Sequence, residues 1–135
     1  MQLAERIAIN PTDVQEQVLC KISENCRLIY NYALAERLKA MDKGHQIAYM
    51  EQQNSLPKIK RAFPRYKIVY SKTLQYALKE LDSDFRAFRK RAKKDKRASP
   101  PKYKNKYRFT TFTYNQSGFR LQKGRIILSQ FLNDT

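Results

Sequence analysis

Between Leu19 and Leu38 apolar residues recur every three or four positions: Leu19, Ile22, Cys26, Ile29 and Ala33, with Tyr30, Leu34 and Leu38 beside them. That spacing puts them on one side of the chain only if the segment is an α-helix with a buried face. The pattern returns in Leu74, Leu78, Leu81, Phe85 and Phe88, on a second helix that starts near Ser71, with Lys72, Gln75, Lys79, Arg86 and Arg89 elsewhere around its wheel. Two amphipathic helices of this kind can pack stripe to stripe. The first helix has a marked start, because Thr12 and Gln15 fit a capping box. It runs through about Lys39, before Gly44 ends the region. Gln46 to Asn54 reads as a short helix, and Leu56 to Pro64 as a connection whose two prolines, Pro57 and Pro64, bias the residues before them away from helix.

The ends of the chain read differently. Leu3, Glu5, Ile7 and Ile9 alternate on one side of a first strand that stops at Asn10-Pro11. After Ser99-Pro100-Pro101 the period changes to two: Phe109 to Tyr114 are strand formers, Ser117-Gly118 is a turn, and Phe119 to Leu121 and Arg125 to Leu128 are short strands around Gly124. The expected fold class is α+β, a small antiparallel β-sheet or partial barrel interrupted by an inserted helical bundle. The first strand is expected to join the later sheet. At 135 residues the chain fits one domain or two small lobes.

Charge selects the partner. The chain has 28 Lys and Arg against 12 Asp and Glu, a formal net charge of +16. Arg89, Lys90, Arg91, Lys93, Lys94, Lys96, Arg97, Lys102, Lys104, Lys106 and Arg108 carry most of it, opposed within that stretch only by Asp95, so twenty residues hold +10. A polyanion relieves the self-repulsion of such a run and releases its own counterions, which makes nucleic acid the expected partner. Tyr103, Tyr107 and Phe109, interleaved with the charges, offer flat faces for unpaired bases. If Lys102, Lys104 and Lys106 all touch phosphates, their removal lowers the salt slope of binding by up to about three. The competing reading is a solvated loop. An anionic membrane is not expected, since the charges do not lie opposite a bulky apolar stripe. With no apolar run of 18 residues and no signal-peptide order at the N-terminus, an intracellular, cytoplasmic protein is expected.

Catalytic machinery is not visible. Cys20 and Cys26 stand six apart in a helical pattern and read as reduced packing residues, and a zinc site would need further soft ligands beyond the single His45. The one cluster of carboxylates is Glu80, Asp82 and Asp84, where positions 80 and 84 share a face and 82 points away beside Lys79 and Arg86. It reads as a solvated helix face. One lone His gives no Ser-His or Cys-His pair, and three glycines give no phosphate-cradling loop. No catalytic residue, metal or cofactor is expected.

Five segments in order carry a family resemblance: Arg6-Ile7-Ala8-Ile9-Asn10-Pro11-Thr12 with Gln15; Arg27-Leu28-Ile29-Tyr30-Asn31-Tyr32-Ala33-Leu34; Ser71 to Asp82 with Phe85 and Phe88; Pro101 to Lys106; and Gly124 to Leu128. Together they resemble the N-terminal half of TnpB proteins, transposon-encoded RNA-guided DNA endonucleases related to type V CRISPR effectors. The resemblance implies a wedge-like first strand over residues 1–11, a helical recognition-like domain over 12–96, and a basic connector with the remaining wedge-like strands over 97–135. It implies contact with guide RNA and target DNA, with Arg27, Tyr30 and Asn31 as motif positions. Tyr49, Ser71, Lys72, Gln75, Asn115 and Gln116 are the implied neighbours of target-adjacent DNA. Cleavage in the family belongs to a later RuvC-like domain with three acidic residues, expected to be absent from this sequence. After Leu128 the sequence departs from the family, which continues with Pro and then Gly, and a wedge-like sheet is therefore expected to be incomplete here. Two other readings stay open: a small DNA-binding regulator, and one part of an active nuclease completed by a separate C-terminal polypeptide.

Overall fold

The computed structural model of the chain describes residues 6–106 and 111–129. Three α-helices, α1 (Asp13–Asp42), α2 (Tyr49–Ala62) and α3 (Ser71–Lys94), precede two short strands, β1 (Phe119–Gln122) and β2 (Arg125–Leu128). The architecture is α+β with the helices dominant.

Helix α1 begins as its sequence dictates. The Gln15 amide donates to Thr12 Oγ1 at 3.2 Å and the Thr12 amide to Gln15 Oε1 at 2.9 Å, so both halves of the capping box form. No Gly or Pro interrupts the next 30 residues, about 45 Å of helix. The helix stops at Gly44, whose φ of +73° lies where only glycine is unstrained. There the His45 amide reaches back to the Ala40 carbonyl at 2.8 Å and the Gly44 amide to Met41 at 3.0 Å, a Schellman closure.

Helix α2 corrects an expectation. The segment Leu56 to Pro64 is not a connection, because helix continues through Pro57 as far as Ala62. An interior proline costs about 3 kcal/mol. Its neighbours Leu56 and Ile59 are 4% and 8% exposed, and each such burial contributes about 1.5–3 kcal/mol, so packing outweighs the local penalty. The second proline acts as expected: Phe63, before Pro64, leaves the helix at φ −131°, ψ 86°. A 3₁₀ turn over Pro64–Ile68 then leads into α3.

The apolar stripes meet as their spacing requires. Ile22, Cys26, Ile29, Tyr30, Ala33 and Leu34 of α1 pack with Leu74, Ala77, Leu78, Leu81 and Phe85 of α3, and α2 and the 3₁₀ turn close the core with Leu56, Ile59 and Tyr66.

The hairpin is antiparallel, with Phe119 opposite Leu128 and Gln122 opposite Arg125. Its two-residue loop, Lys123-Gly124, has φ of 40° and 77°, both positive as a type I′ turn demands. The other strand expectations are not met by the described residues. Residues 6–12 are not in a strand, Ile7 and Ile9 are exposed, and residues 1–5 lie outside the described set. The described residues of the expected first strand therefore form no strand and do not join the sheet, which has two strands among the described residues. No barrel closes among them either. Of the strand expected over Phe109 to Tyr114, residues 107–110 lie outside the described set and 111–114 have no strand partner. Their alternation is real, since Thr111 and Thr113 are exposed while Phe112 and Tyr114 are half-buried. Those inward rings are used against helices: Phe112 packs on the helical core and Tyr114 stacks on Tyr70.

Candidate nucleic-acid interface

The basic segment divides into two physical parts. Arg89 to Lys94 are the last turns of α3, where the helix's negative end favours cations. After Asp95 the chain leaves the helix, and residues 98–106 run back across α1 as a strap.

The strap is pinned at Lys104. Asn31 accepts from the Lys104 amide at 2.9 Å through Oδ1 and donates to the Lys104 carbonyl at 3.0 Å through Nδ2. Arg27 donates to the same carbonyl at 3.3 Å, while its guanidinium is oriented by Glu24, 3.0 Å from Nε to Oε2. That bond, ahead of plain charge attraction, holds the Glu24 carboxyl below its usual range. The Lys104 ammonium lies 5.2 Å above the Tyr30 ring and 3.9 Å from Glu80. Below it, the Tyr30 hydroxyl donates to Asp84 at 2.5 Å. Burial first, and Asp84 second, raise the Tyr30 hydroxyl far above its ordinary pKa. The three motif positions Arg27, Tyr30 and Asn31 thus all hold one residue of the strap.

The carboxylate cluster is consequently not a solvated face, which corrects the reading of the sequence. Glu80 faces Lys104, Asp84 holds Tyr30, and Asp82, 14% exposed at its side chain, bridges Arg37 at 3.1 Å and Arg86 at 3.0 Å. Burial pushes the Glu80 carboxyl up and Lys104 pulls it back. Among the described residues no group of three or more His, Cys, Asp or Glu could hold a metal ion.

Between strap and α3 lies a cleft of about 570 Å³, lined by Tyr30, Asp84, Arg91, Lys102, Tyr103 and Asn105 among others. Positions 84, 87 and 91 share one side of α3, so Arg91 faces this cleft, whereas Arg89 and Lys93 sit roughly opposite on the helix. Lys90, Lys94, Lys96, Arg97, Lys102 and Lys106 are exposed, Arg89 is half-buried, and Tyr103 presents a ring that is 56% exposed. Arg108 lies outside the described residues. The run of charge is therefore two surfaces and not one groove, and Lys104 is already engaged.

The other candidates gather around the start of α3. The Ser71 hydroxyl meets Lys60 Nζ at 2.5 Å. Lys72 is exposed, and Gln75, one turn along, is half-buried. Asn115 Oδ1 accepts from the Tyr70 hydroxyl at 3.2 Å and from Ser117 at 3.1 Å. Gln116 begins a 3₁₀ turn over Gln116–Gly118, but its side chain lies outside the described set. Tyr49 is further off, half-buried against the core, with burial first and the charge of Asp82 second raising its hydroxyl pKa. Ser71 and Asn115 are thus joined through a residue the sequence reading missed, Tyr70, whose ring stacks on Tyr114 at 5.3 Å and 15°. A Cβ on Gly118 would lie 2.5 Å from that ring. The available signal was the tyrosine's place directly before the Ser71 motif.

Residues 1–46 match a family model described as a helix-turn-helix domain, that of IS605 OrfB proteins. No curated protein matches the chain. Within the matched span the described residues form the single uninterrupted helix α1, and α2 begins at Tyr49, beyond it. No helix among the described residues is long and apolar enough to cross a membrane. Over its first third the chain is thus similar to the helix-turn-helix domain of IS605 OrfB proteins.

Proposed function

We propose that the chain is the nucleic-acid-binding N-terminal module of a TnpB-like transposon protein, contacting guide RNA and target DNA and cutting neither by itself. The observation that carries this reading is the pinned strap. Two hydrogen bonds with Asn31, one accepted and one donated by its side chain, and one from Arg27 fix the Lys104 backbone, and the neighbouring Lys102, Tyr103 and Lys106 stand exposed beside it. Pre-ordered cations and an aromatic face lose little freedom on binding a phosphodiester strand. Residues 12–96 act as the recognition-like part, and residues 97–135 as connector and wedge-like part, with Ser71, Lys72, Gln75, Asn115 and Gln116 toward target-adjacent DNA.

The test is salt-dependent binding of a structured RNA and of a DNA duplex, each followed by fluorescence anisotropy. Preference for the RNA at fixed salt is expected. Lys102→Ala with Lys106→Ala should lower the slope of log K against log salt by about two, and adding Lys104→Ala should change it little further. A slope unchanged by the double variant would defeat the strap reading. The duplex-binding regulator remains the second reading because of the helix-turn-helix description of the matched family, and a stronger preference for duplex would favour it. Cleavage of either nucleic acid in Mg²⁺ by the purified chain would remove the non-catalytic assignment.

A further inference from the structure

A second cationic and aromatic surface lies away from the strap. Residues 52–79 contain seven basic side chains and no Asp or Glu. Lys58, Arg61, Arg65 and Lys67 are exposed around the end of α2 and the 3₁₀ turn that follows it. In the same segment, with Tyr32 of α1, three rings make a chain: Tyr32 meets Phe63 edge-on at 6.5 Å, and Phe63 meets Tyr66 at 6.4 Å. Tyr66 is 6% exposed and forms the floor, while Phe63 and Tyr32 remain 48% and 41% exposed. A single exposed ring is ordinary. Two adjoining ones, braced by a buried third and rimmed by cations without acidic partners in their own segment, are a surface complementary to a ligand that is both flat and anionic. Arg65 is held in place from beneath, its Nε donating to the buried Asn25 at 2.7 Å. Of the carboxylates along α1, Glu24 feels the charge of Arg65 but is hydrogen-bonded to Arg27, and Glu36, one turn beyond Tyr32, receives a long bond from Gln52 at 3.4 Å.

Position on α1 separates this corner from the strap. Tyr32 stands about 100° around the helix axis from Asn31 and about 140° from Arg27. We propose that Tyr32, Phe63 and the cations from Lys58 to Lys67 form a second binding site, for an unpaired polynucleotide strand. Bases stack on the two exposed rings and the flanking phosphates meet Arg61 and Lys67. A duplex keeps its bases stacked internally and offers no free face to Phe63, which is why the occupant is single-stranded.

The chain has no tryptophan, so Phe63→Trp introduces a sole indole at the site, and Tyr32→Trp gives an independent reporter should the first variant fold poorly by circular dichroism. Each is titrated with a twelve-residue oligo-dT, the matching oligo-U, a twelve-base-pair duplex and a poly-glutamate peptide. Both single strands, or one of them, should quench the indole at lower concentration than the duplex, and the peptide should not quench it. Arg61→Ala with Lys67→Ala should move the midpoint about tenfold upward, while Lys102→Ala with Lys106→Ala at the strap moves it less than twofold. Quenching led by the duplex, or matched by the peptide, overturns the proposal in favour of that ligand. An unquenched indole in a protein that binds labelled oligo-dT by anisotropy overturns it and leaves the strap reading standing; absence of binding to every nucleic acid ends both.

Discussion

Cys20 and Cys26 show how far apart two residues of one type can be. Cys26 is 1% exposed in the core, and burial, with a smaller contribution from Glu80, pushes its thiol up to about 12, while Cys20 is exposed. At pH 8 a thiol reagent should modify one cysteine of the native protein promptly and the second only on unfolding; rapid loss of both would contradict the packing. Tyr114 is likewise raised to about 12, by burial first. Both groups hold protons in the folded chain that the unfolded chain releases from about pH 9 or 10 upward, so stability should fall as pH rises from 9 to about 12. Cys26→Ala with Tyr114→Phe should flatten that decline in urea midpoints. The helical stripe predicted burial at position 26, where it holds, whereas reading Cys20 as a packing residue is corrected: six positions at about 100° each turn Cys20 about 120° from Cys26, toward solvent.

At the scale of elements, one polar contact decides where the strap lies. Removing the Asn31 amide leaves the half-buried Lys104 peptide without two of its partners, a loss of about 1–3 kcal/mol. Asn31→Ala should therefore expose the Lys102 and Lys106 bonds to trypsin about tenfold faster, with the helical content unchanged; equal rates would mean the strap is held elsewhere. Inside the bundle Arg37, 3% exposed, donates to Gln52 at 2.8 Å and to Asp82. Asp82→Asn leaves a buried guanidinium without its counter-charge, and should destabilise the fold by about 3–5 kcal/mol in urea denaturation. Helices, capping box and hairpin could be read from the sequence because each is a local pattern: a stripe, a Thr-to-Gln spacing, a Lys-Gly turn. Pro57 in helix and the sheetless Phe112 and Tyr114 could not, because burial against distant residues overrode local preference. Carboxylate partners were hidden for the same reason, since Asp84 finds Tyr30 54 positions away.

The whole molecule carries +16, and that excess makes salt act in opposite directions on the free and bound protein. Free, the chain repels itself. Ions screen that repulsion within a Debye length of about 10 Å at 0.1 M, so its melting temperature should rise between 0.05 and 0.5 M NaCl. Bound to a polyanion, the same ions compete for the phosphates, and affinity falls steeply with salt. A nucleic acid at about a hundred times its Kd stabilises the folded state by about 2.7 kcal/mol, on the order of 10 °C for a domain of this size. That increment should shrink as salt rises, until the melting curves with and without ligand converge. Differential scanning fluorimetry across the salt series, with a single-stranded oligonucleotide present or absent, measures both slopes in one experiment. Convergence from opposite directions is expected of a fold whose cations await phosphate. Parallel curves would show that the charge along α3, the strap and the 3₁₀ corner is met by solvent alone.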